Sequence, residues 1–564
     1  MPSTPRNDFE VGCALSSFER MATKSIMHPG CRNLDDWDCD FQLESWSRLR
    51  TNRLRGDVDS GEVSHLFRDA NLLDHMVETL DRLRTSATLL QQRTRLRLKP
   101  IISKLSLGIA SLPDELLMLI FELTIPSDTG EQPERRRPRQ AVLLSHVSRR
   151  FRSAALRTHY LWTTLDGYAS RSELEAFVAR SGNDSDLHIV LNASHTGHIV
   201  ADFLDMCLPL APRWKSISVA SEGDWQAPDT VDGALSKIFH SNIGEVDERV
   251  FPRLGRLSIK RVGNIRLDVT SEKIKPRSEI PSLRQLQCDG YTPVPSPAYS
   301  SVTSFSSTIS MSSASYDTDL EDLCLFLTSL RAMTDLSLTI RSTLYFQELD
   351  DSTRARCHSV TSLTLFFPFF IFSSTMRTFL RPLIGLFELP NLTDLSVSIE
   401  LRMEDIRDNP EDEFNLENLV AALCPHPSTH PNLSTVRIKL SHTEENWTKG
   451  QEWSNMRSKS LRIPLQRIPH VTTLSVQSFT DVEVYGMFLP GKSDLRELHL
   501  VECRYFDVAS LEKLVASLRE ANAWNTLDTL KMENCGHFLE YDDAVKIVGK
   551  EKLSFAKISL EDLL

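Results

Sequence analysis

Leu392-Thr-Asp-Leu-Ser-Val397 is one copy of a phrase that recurs through the second half of this chain. The pattern is apolar, two variable residues, apolar, one variable residue, apolar. It returns as Leu254-Gly-Arg-Leu-Ser-Ile, Leu283-Arg-Gln-Leu-Gln-Cys, Met333-Thr-Asp-Leu-Ser-Leu and Val360-Thr-Ser-Leu-Thr-Leu. Further copies are Leu433-Ser-Thr-Val-Arg-Ile, Val471-Thr-Thr-Leu-Ser-Val, Leu495-Arg-Glu-Leu-His-Leu and Leu527-Asp-Thr-Leu-Lys-Met, with a degenerate one at Trp214-Lys-Ser-Ile-Ser-Val. The last two apolar positions of each copy are two residues apart, so a strand puts both on one face. Five copies carry a proline two residues before the first apolar position: Pro252, Pro281, Pro390, Pro431 and Pro469. Proline cannot continue a helix, and it suits an extended approach to the strand. Segments of helical character lie between phrases, for example 414–423 and 508–523. A strand–helix unit of this kind cannot bury its apolar side alone, so neighbours must stack.

The phrase resembles the leucine-rich repeat. The resemblance implies an α/β fold, an irregular solenoid of parallel strands inside and helices outside, over residues 166–564. Spacing between copies runs from 24 to 50 residues. The longest gap contains a Ser-, Thr- and Pro-rich stretch at about 292–319, which is expected to be a disordered insertion because it holds too little apolar surface to offset its ordering entropy. Two copies extend to end at Cys503 and Cys535, read as small buried groups in a stacked turn.

Upstream, residues 111–121 read Ser-Leu-Pro-Asp-Glu-Leu-Leu-Met-Leu-Ile-Phe. Proline suits a helix start, and Asp114 and Glu115 suit the positive end of its dipole. Leu116, Ile120 and Leu123, together with Leu117 and Phe121, make an apolar arc wider than one core face needs. A loop is expected over 127–139, with two prolines and four arginines, then a second helix from about Gln140 to Arg157 whose stripe is Leu144, Val147, Phe151, Ala154 and Ala155. Tyr160-Leu-Trp162 follows. This order resembles the F-box, the adaptor-docking motif of substrate receptors in Skp–cullin–F-box ubiquitin ligases. It departs from the family at Ser148 and Phe151, where many members have Cys and Trp. The box is placed at 106–165.

Residues 66–105 carry a heptad-like seam of Leu73, Met76, Leu80, Leu83, Ala87 and Leu90, giving an amphipathic helix or short coiled coil. Many fungal F-box proteins resemble this arrangement. Residues 1–65 lack a sustained period and are expected to be largely disordered. Formal net charge is −12, from 64 basic and 76 acidic residues, which argues against a nucleic-acid partner. No apolar run is long enough for a membrane span, and the N-terminus has no secretory h-region. Reduced thiols in the cytoplasm or nucleus follow as the expectation.

No phosphate-cradling glycine motif, H-E-x-x-H or G-x-S-x-G is present. Cys424-Pro-His-Pro-Ser-Thr-His430 is read as a loop before a strand, not a metal site. The expected protein is therefore non-catalytic, without cofactor or metal. The resemblance implies that Leu112, Pro113, Leu116, Ile120, Phe121, Leu144, Val147, Phe151 and Trp162 dock a Skp-type adaptor, which brings a cullin and a RING subunit. The open strand positions would hold a protein substrate: Ser258, Lys260, Ser337, Thr339, Ser396, Ser398, Arg437, Lys439, Ser475, Gln477, His499 and Lys531. The alternative is a repeat scaffold whose F-box-like helices merely cap the solenoid.

Overall fold

The computed structural model describes most of residues 74–100, then residues 108–109, 112–124, 133–192, 197–221, 229–239, 250–261, 280–290, 292–311, 316–342, 354–370, 384–401, 420, 423–424, 429–442, 460–486, 493–503, 506–535 and 539–556. The expectation for residues 1–65 lies outside these. The chain divides into two units, 1–111 and 112–564. In the first, the described residues of 74–100 are helical and exposed, with Leu80 and Leu90 open to solvent. Among the described residues no helix is long and apolar enough to cross a membrane.

The second unit is dominated by one parallel sheet of fourteen strands whose spatial order is their sequence order. The strands are β1 (Thr164–Asp166), β2 (Leu187–Asn192), β3 (Trp214–Ser221), β4 (Arg256–Arg261), β5 (Gln285–Asp289), β6 (Ser304–Met311) and β7 (Asp335–Ser342). They continue as β8 (Ser362–Phe370), β9 (Asp394–Leu401), β10 (Thr435–His442), β11 (Thr473–Gln477), β12 (Glu497–Val501), β13 (Thr529–Glu533) and β14 (Leu553–Ala556). All nine clear phrases and the degenerate one at Trp214 lie on strands of this sheet. The register explains the pattern: Leu336, Leu363, Leu395, Val436, Leu474, Leu498 and Leu530 align across seven strands. Each is buried, while its neighbours along the strand alternate between buried and half-buried, as in β9.

Helices precede and connect these strands: α1 (Asp114–Thr124), α2 (Pro133–Val147), α3 (Arg149–Arg157), α4 (Arg171–Ser181), α5 (Gly197–Cys207), α6 (Asp229–Phe239), α7 (Tyr316–Ser329), α8 (Val508–Glu520) and α9 (Tyr541–Val548). Their apolar residues, such as Leu511, Leu514 and Leu518 of α8, join the strand residues in one continuous core.

The turn before each strand is itself a repeat. The amide of the first apolar residue donates to a carbonyl three residues earlier: Leu254 to Phe251, Leu283 to Ile280, Leu392 to Leu389, Leu433 to His430 and Val471 to Ile468. Pro252, Pro281, Pro390, Pro431 and Pro469 thus occupy the second position of a four-residue turn, which proline's fixed φ favours. They set a turn and not an extended approach, which corrects the expectation from sequence. A second device follows at the next residue. The hydroxyls of Thr334, Thr361, Thr393, Ser434 and Thr472 each donate to the main-chain carbonyl of the matching residue one repeat earlier, at 3.0–3.4 Å. These bonds tie repeat to repeat independently of the apolar row.

The expected disorder at 292–319 is corrected for its described residues. That stretch contains β6, a strand of the main sheet, and Tyr299, Val302 and Phe305 are at most 2% exposed. Val302-Thr-Ser-Phe-Ser-Ser307 is a tenth copy whose last apolar position is serine. Ser307 aligns with Cys288 and Leu338 and is buried. Its hydroxyl is small enough for the row, and the polar composition concealed it.

Cys503 and Cys535 end β12 and β13 as stacked turns. Each follows a residue in the left-handed region, Glu502 (φ 50°) and Asn534 (φ 54°). Cys503 donates to the carbonyl of Val476 (3.7 Å) and Cys535 to that of Leu500 (3.3 Å), both one repeat back.

Candidate functional site

The described residues of 112–162 form a helical cluster on the first strand of the sheet. Ser148 breaks the expected single helix 140–157 into α2 and α3. Its backbone is extended (φ −158°, ψ 169°) and its side chain accepts from the Phe151 amide at 3.1 Å, an N-cap. The expected loop at 127–139 is corrected in part: α2 begins at Pro133, since proline is well placed at a helix's first position.

The cluster's core is small. Leu117 and Phe121 of α1 meet Ala141, Ala154 and Ala155, and all are at most 1% exposed. Phe121 packs on Phe151 with ring centroids 5.2 Å apart. Trp162 is anchored three ways. Its Nε1 donates to the Ala155 carbonyl at 2.8 Å, its ring meets Phe177 edge-on at 5.0 Å, and the Arg180 guanidinium lies over it at 4.6 Å. Phe177 and Arg180 belong to α4, so Trp162 fastens the cluster to the start of the repeats.

Phe121 and Trp162 were expected among the adaptor contacts. Their burial corrects that: both are enclosed by their own chain and present no surface. Leu112, Leu144 and Phe151 are half-buried, and Pro113 and Val147 are exposed. What remains open on α1 is a stripe: Leu116 (44%), Leu119 (50%), Ile120 (40%) and Leu123 (76%). These positions fall at i, i+3, i+4 and i+7, one helix face. Leu143 and Val147 of α2, about 60% exposed, repeat the feature at i, i+4. Leu119, Leu123 and Leu143 were not among the residues expected to dock, although Leu123 belongs to the apolar arc that the sequence shows.

An ionic clamp orients α1. Asp114, in its first turn, takes the Arg150 Nε at 2.9 Å on one carboxylate oxygen and the Arg157 guanidinium on the other. Arg150 also donates to the Leu112 carbonyl. The Arg150 hydrogen bond, then that of Arg157, holds the Asp114 carboxyl below the usual carboxylate range. Both arginines sit on α3, so the N-terminus of the apolar stripe is fixed against the third helix.

On the sheet, the proposed substrate residues all occupy the side opposite the buried rows, but they differ in availability. Ser258 is 2% exposed, and it donates to Gln287 (3.3 Å). Lys531 pairs with Glu497 (3.2 Å), His499 with Glu533 (3.2 Å) and Gln477 with Glu502 (2.6 Å). Lys260, Ser337, Thr339, Ser396, Ser398 and Ser475 are half-buried, while Arg437 and Lys439 are exposed.

Cys424 and His430 are both buried, and the His430 Nδ1 faces the Leu389 carbonyl at 3.0 Å. Among the described residues no three His, Cys, Asp or Glu side chains gather as a metal site would require.

A family model described as F-box-like matches residues 109–167. These are the helical cluster and β1. Comparison with curated proteins gives no match.

Proposed function

We propose that this chain is the substrate-recognition subunit of a Skp–cullin–F-box ubiquitin ligase. The F-box-like domain supports an adaptor-docking role in general, and one observation carries the reading further. Helix α1 buries Leu117 and Phe121 yet leaves Leu116, Leu119, Ile120 and Leu123 40–76% exposed. A helix with apolar residues on both sides is complete only when a second polypeptide covers the open one. A Skp-type adaptor is that polypeptide, and through it a cullin and a RING subunit. The repeats, which we read as irregular leucine-rich repeats, would bind a protein substrate. The chain would then act without catalysis of its own, by holding a substrate lysine near the charged ubiquitin carrier. A cytoplasmic or nuclear location suits the seven described cysteines, all free thiols.

The capping reading keeps one supporting observation. The cluster packs on β1, an edge strand, and edge strands need cover. Capping accounts for Trp162 and the alanines but leaves the α1 stripe without a role. Affinity purification of the full chain with cullin activation and the proteasome blocked separates the two. A receptor brings down adaptor and cullin; a scaffold brings down neither.

A further inference from the structure

The open face of the sheet is not uniform. At its first end several polar side chains satisfy one another. His188 bonds Ser216 (2.8 Å), Ser258 bonds Gln287 (3.3 Å), and Asp289 takes Gln287 (3.1 Å) and Thr308 (2.7 Å). At the far end Lys531 pairs with Glu497 and Gln477 donates to Glu502. Between them, on β7 to β10, the pattern stops. Ser337, Thr339, Thr364, Ser396 and Ser398 are half-buried, and none of their hydroxyls has a hydrogen-bond partner among the described residues. Arg437 is held only loosely by Asp394 (3.6 Å), and Lys439 has no ion pair among the described residues.

Phe366 stands in the middle of this zone. It is an aromatic residue among hydroxyls in the open-face rows, half-buried between the enclosed Leu365 and Phe367. The register aligns Thr339, Phe366, Ser398 and Lys439 in one row across four strands. Phe366 and Lys439 are two strands apart, about 10 Å at the usual strand spacing. An extended chain covers that distance in about three residues.

The geometry points to a reading frame for the substrate: an extended protein segment lying across the strands, with an apolar side chain on Phe366 and an anionic side chain three residues away on Lys439. The hydroxyls between them serve the segment's main-chain amides and carbonyls, which is why they are left unpaired within the chain. Arg437, beside Lys439, adds to the attraction. This inference rests on the substrate-receptor reading and deepens it by naming the chemistry of the substrate.

The test uses the immobilised full chain carrying its adaptor. Three peptide pools share a fixed Leu; three residues on, one has Glu, one phosphoserine and one Lys, with mixed Gly, Ser, Thr and Ala elsewhere. The Glu pool should be retained about five-fold over the Lys pool, the scale of a solvent-exposed ion pair. Lys439→Glu should reverse that order, and Phe366→Ser should lower retention of the Glu and phosphoserine pools alike. If only phosphoserine exceeds Lys, the frame stands with phosphate as its anion. Equal retention of all three pools, retention of none, or an order that Lys439→Glu leaves unchanged, overturns the inference. Adaptor retention is read on the same samples. Adaptor bound with no pool selectivity sinks this inference alone, whereas selectivity without adaptor sinks the receptor reading alone.

Discussion

Replacing Leu116 and Ile120 together by aspartate should release the adaptor and leave the fold standing. The two side chains are 44% and 40% exposed. Full burial of such a side chain contributes about 1.5–3 kcal/mol, so the part still open is worth about 1 kcal/mol each on docking. The aspartates lose that, and each carboxylate must also be desolvated against an apolar partner at a cost of several kcal/mol. The sum is at least about 5 kcal/mol, or more than about a thousand-fold in Kd. Folding is affected far less, because substitutions at exposed positions shift stability by about 0.5 kcal/mol and the poorer helix propensity of aspartate adds a similar amount at each. The control lies one residue away. Leu117 is 1% exposed, so Leu117→Asp should unfold the helical cluster. The assay is co-expression with a Skp-type adaptor, followed by size-exclusion chromatography and circular dichroism. Full adaptor retention by the double variant would refute the docking face. Its unfolding would refute the claim that these side chains stand outside the core.

Other outcomes follow from the same geometry. Phe121→Ala removes a fully buried ring and should cost about 3–5 kcal/mol, seen as loss of hydrogen-exchange protection in α1 and α3. His430 is held below its ordinary pKa of 6.5, chiefly by burial, with its bond to the Leu389 carbonyl opposing. The unfolded chain therefore takes up this proton first, and the native state loses stability as pH falls below about 6.5 toward the lower folded value. Urea midpoints of His430→Leu should accordingly rise relative to the parent between pH 7 and 5; a constant difference would contradict the buried neutral imidazole. Thr393→Val deletes one rung of the hydroxyl ladder (3.0 Å) and should cost about 1 kcal/mol by the same denaturation assay. Cys288 is fully buried, and burial pushes its thiol well above 9.0; iodoacetamide at pH 8 should label it only in denaturant, and native labelling would show that the sheet opens locally.

The strands were legible because their signal is local. A period of two, with a fixed apolar spacing, is written into six consecutive residues, and all nine clear phrases lie on the main sheet. The copy at Val302 was hidden because Ser307 satisfies its row by size and not by apolarity. The prolines were visible, but their role was not. Whether proline begins an extended stretch or takes the second position of a turn depends on whether the amide two residues after it bonds the carbonyl just before it.

Residue type and helical spacing showed by themselves that α1 carries more apolar surface than one face can bury. Which side is open was a tertiary decision. Leu117 and Phe121 are enclosed because α3 and Trp162 reach them, and Leu116 and Ile120 stay out because nothing described does. The same holds on the sheet, where sequence named the outward residues but only the register paired Lys531 with Glu497 and left Lys439 open. Alternation along a strand fixes which face a side chain takes. What it meets there is set by a strand 30 or 40 residues away, and that distance lies beyond any local pattern.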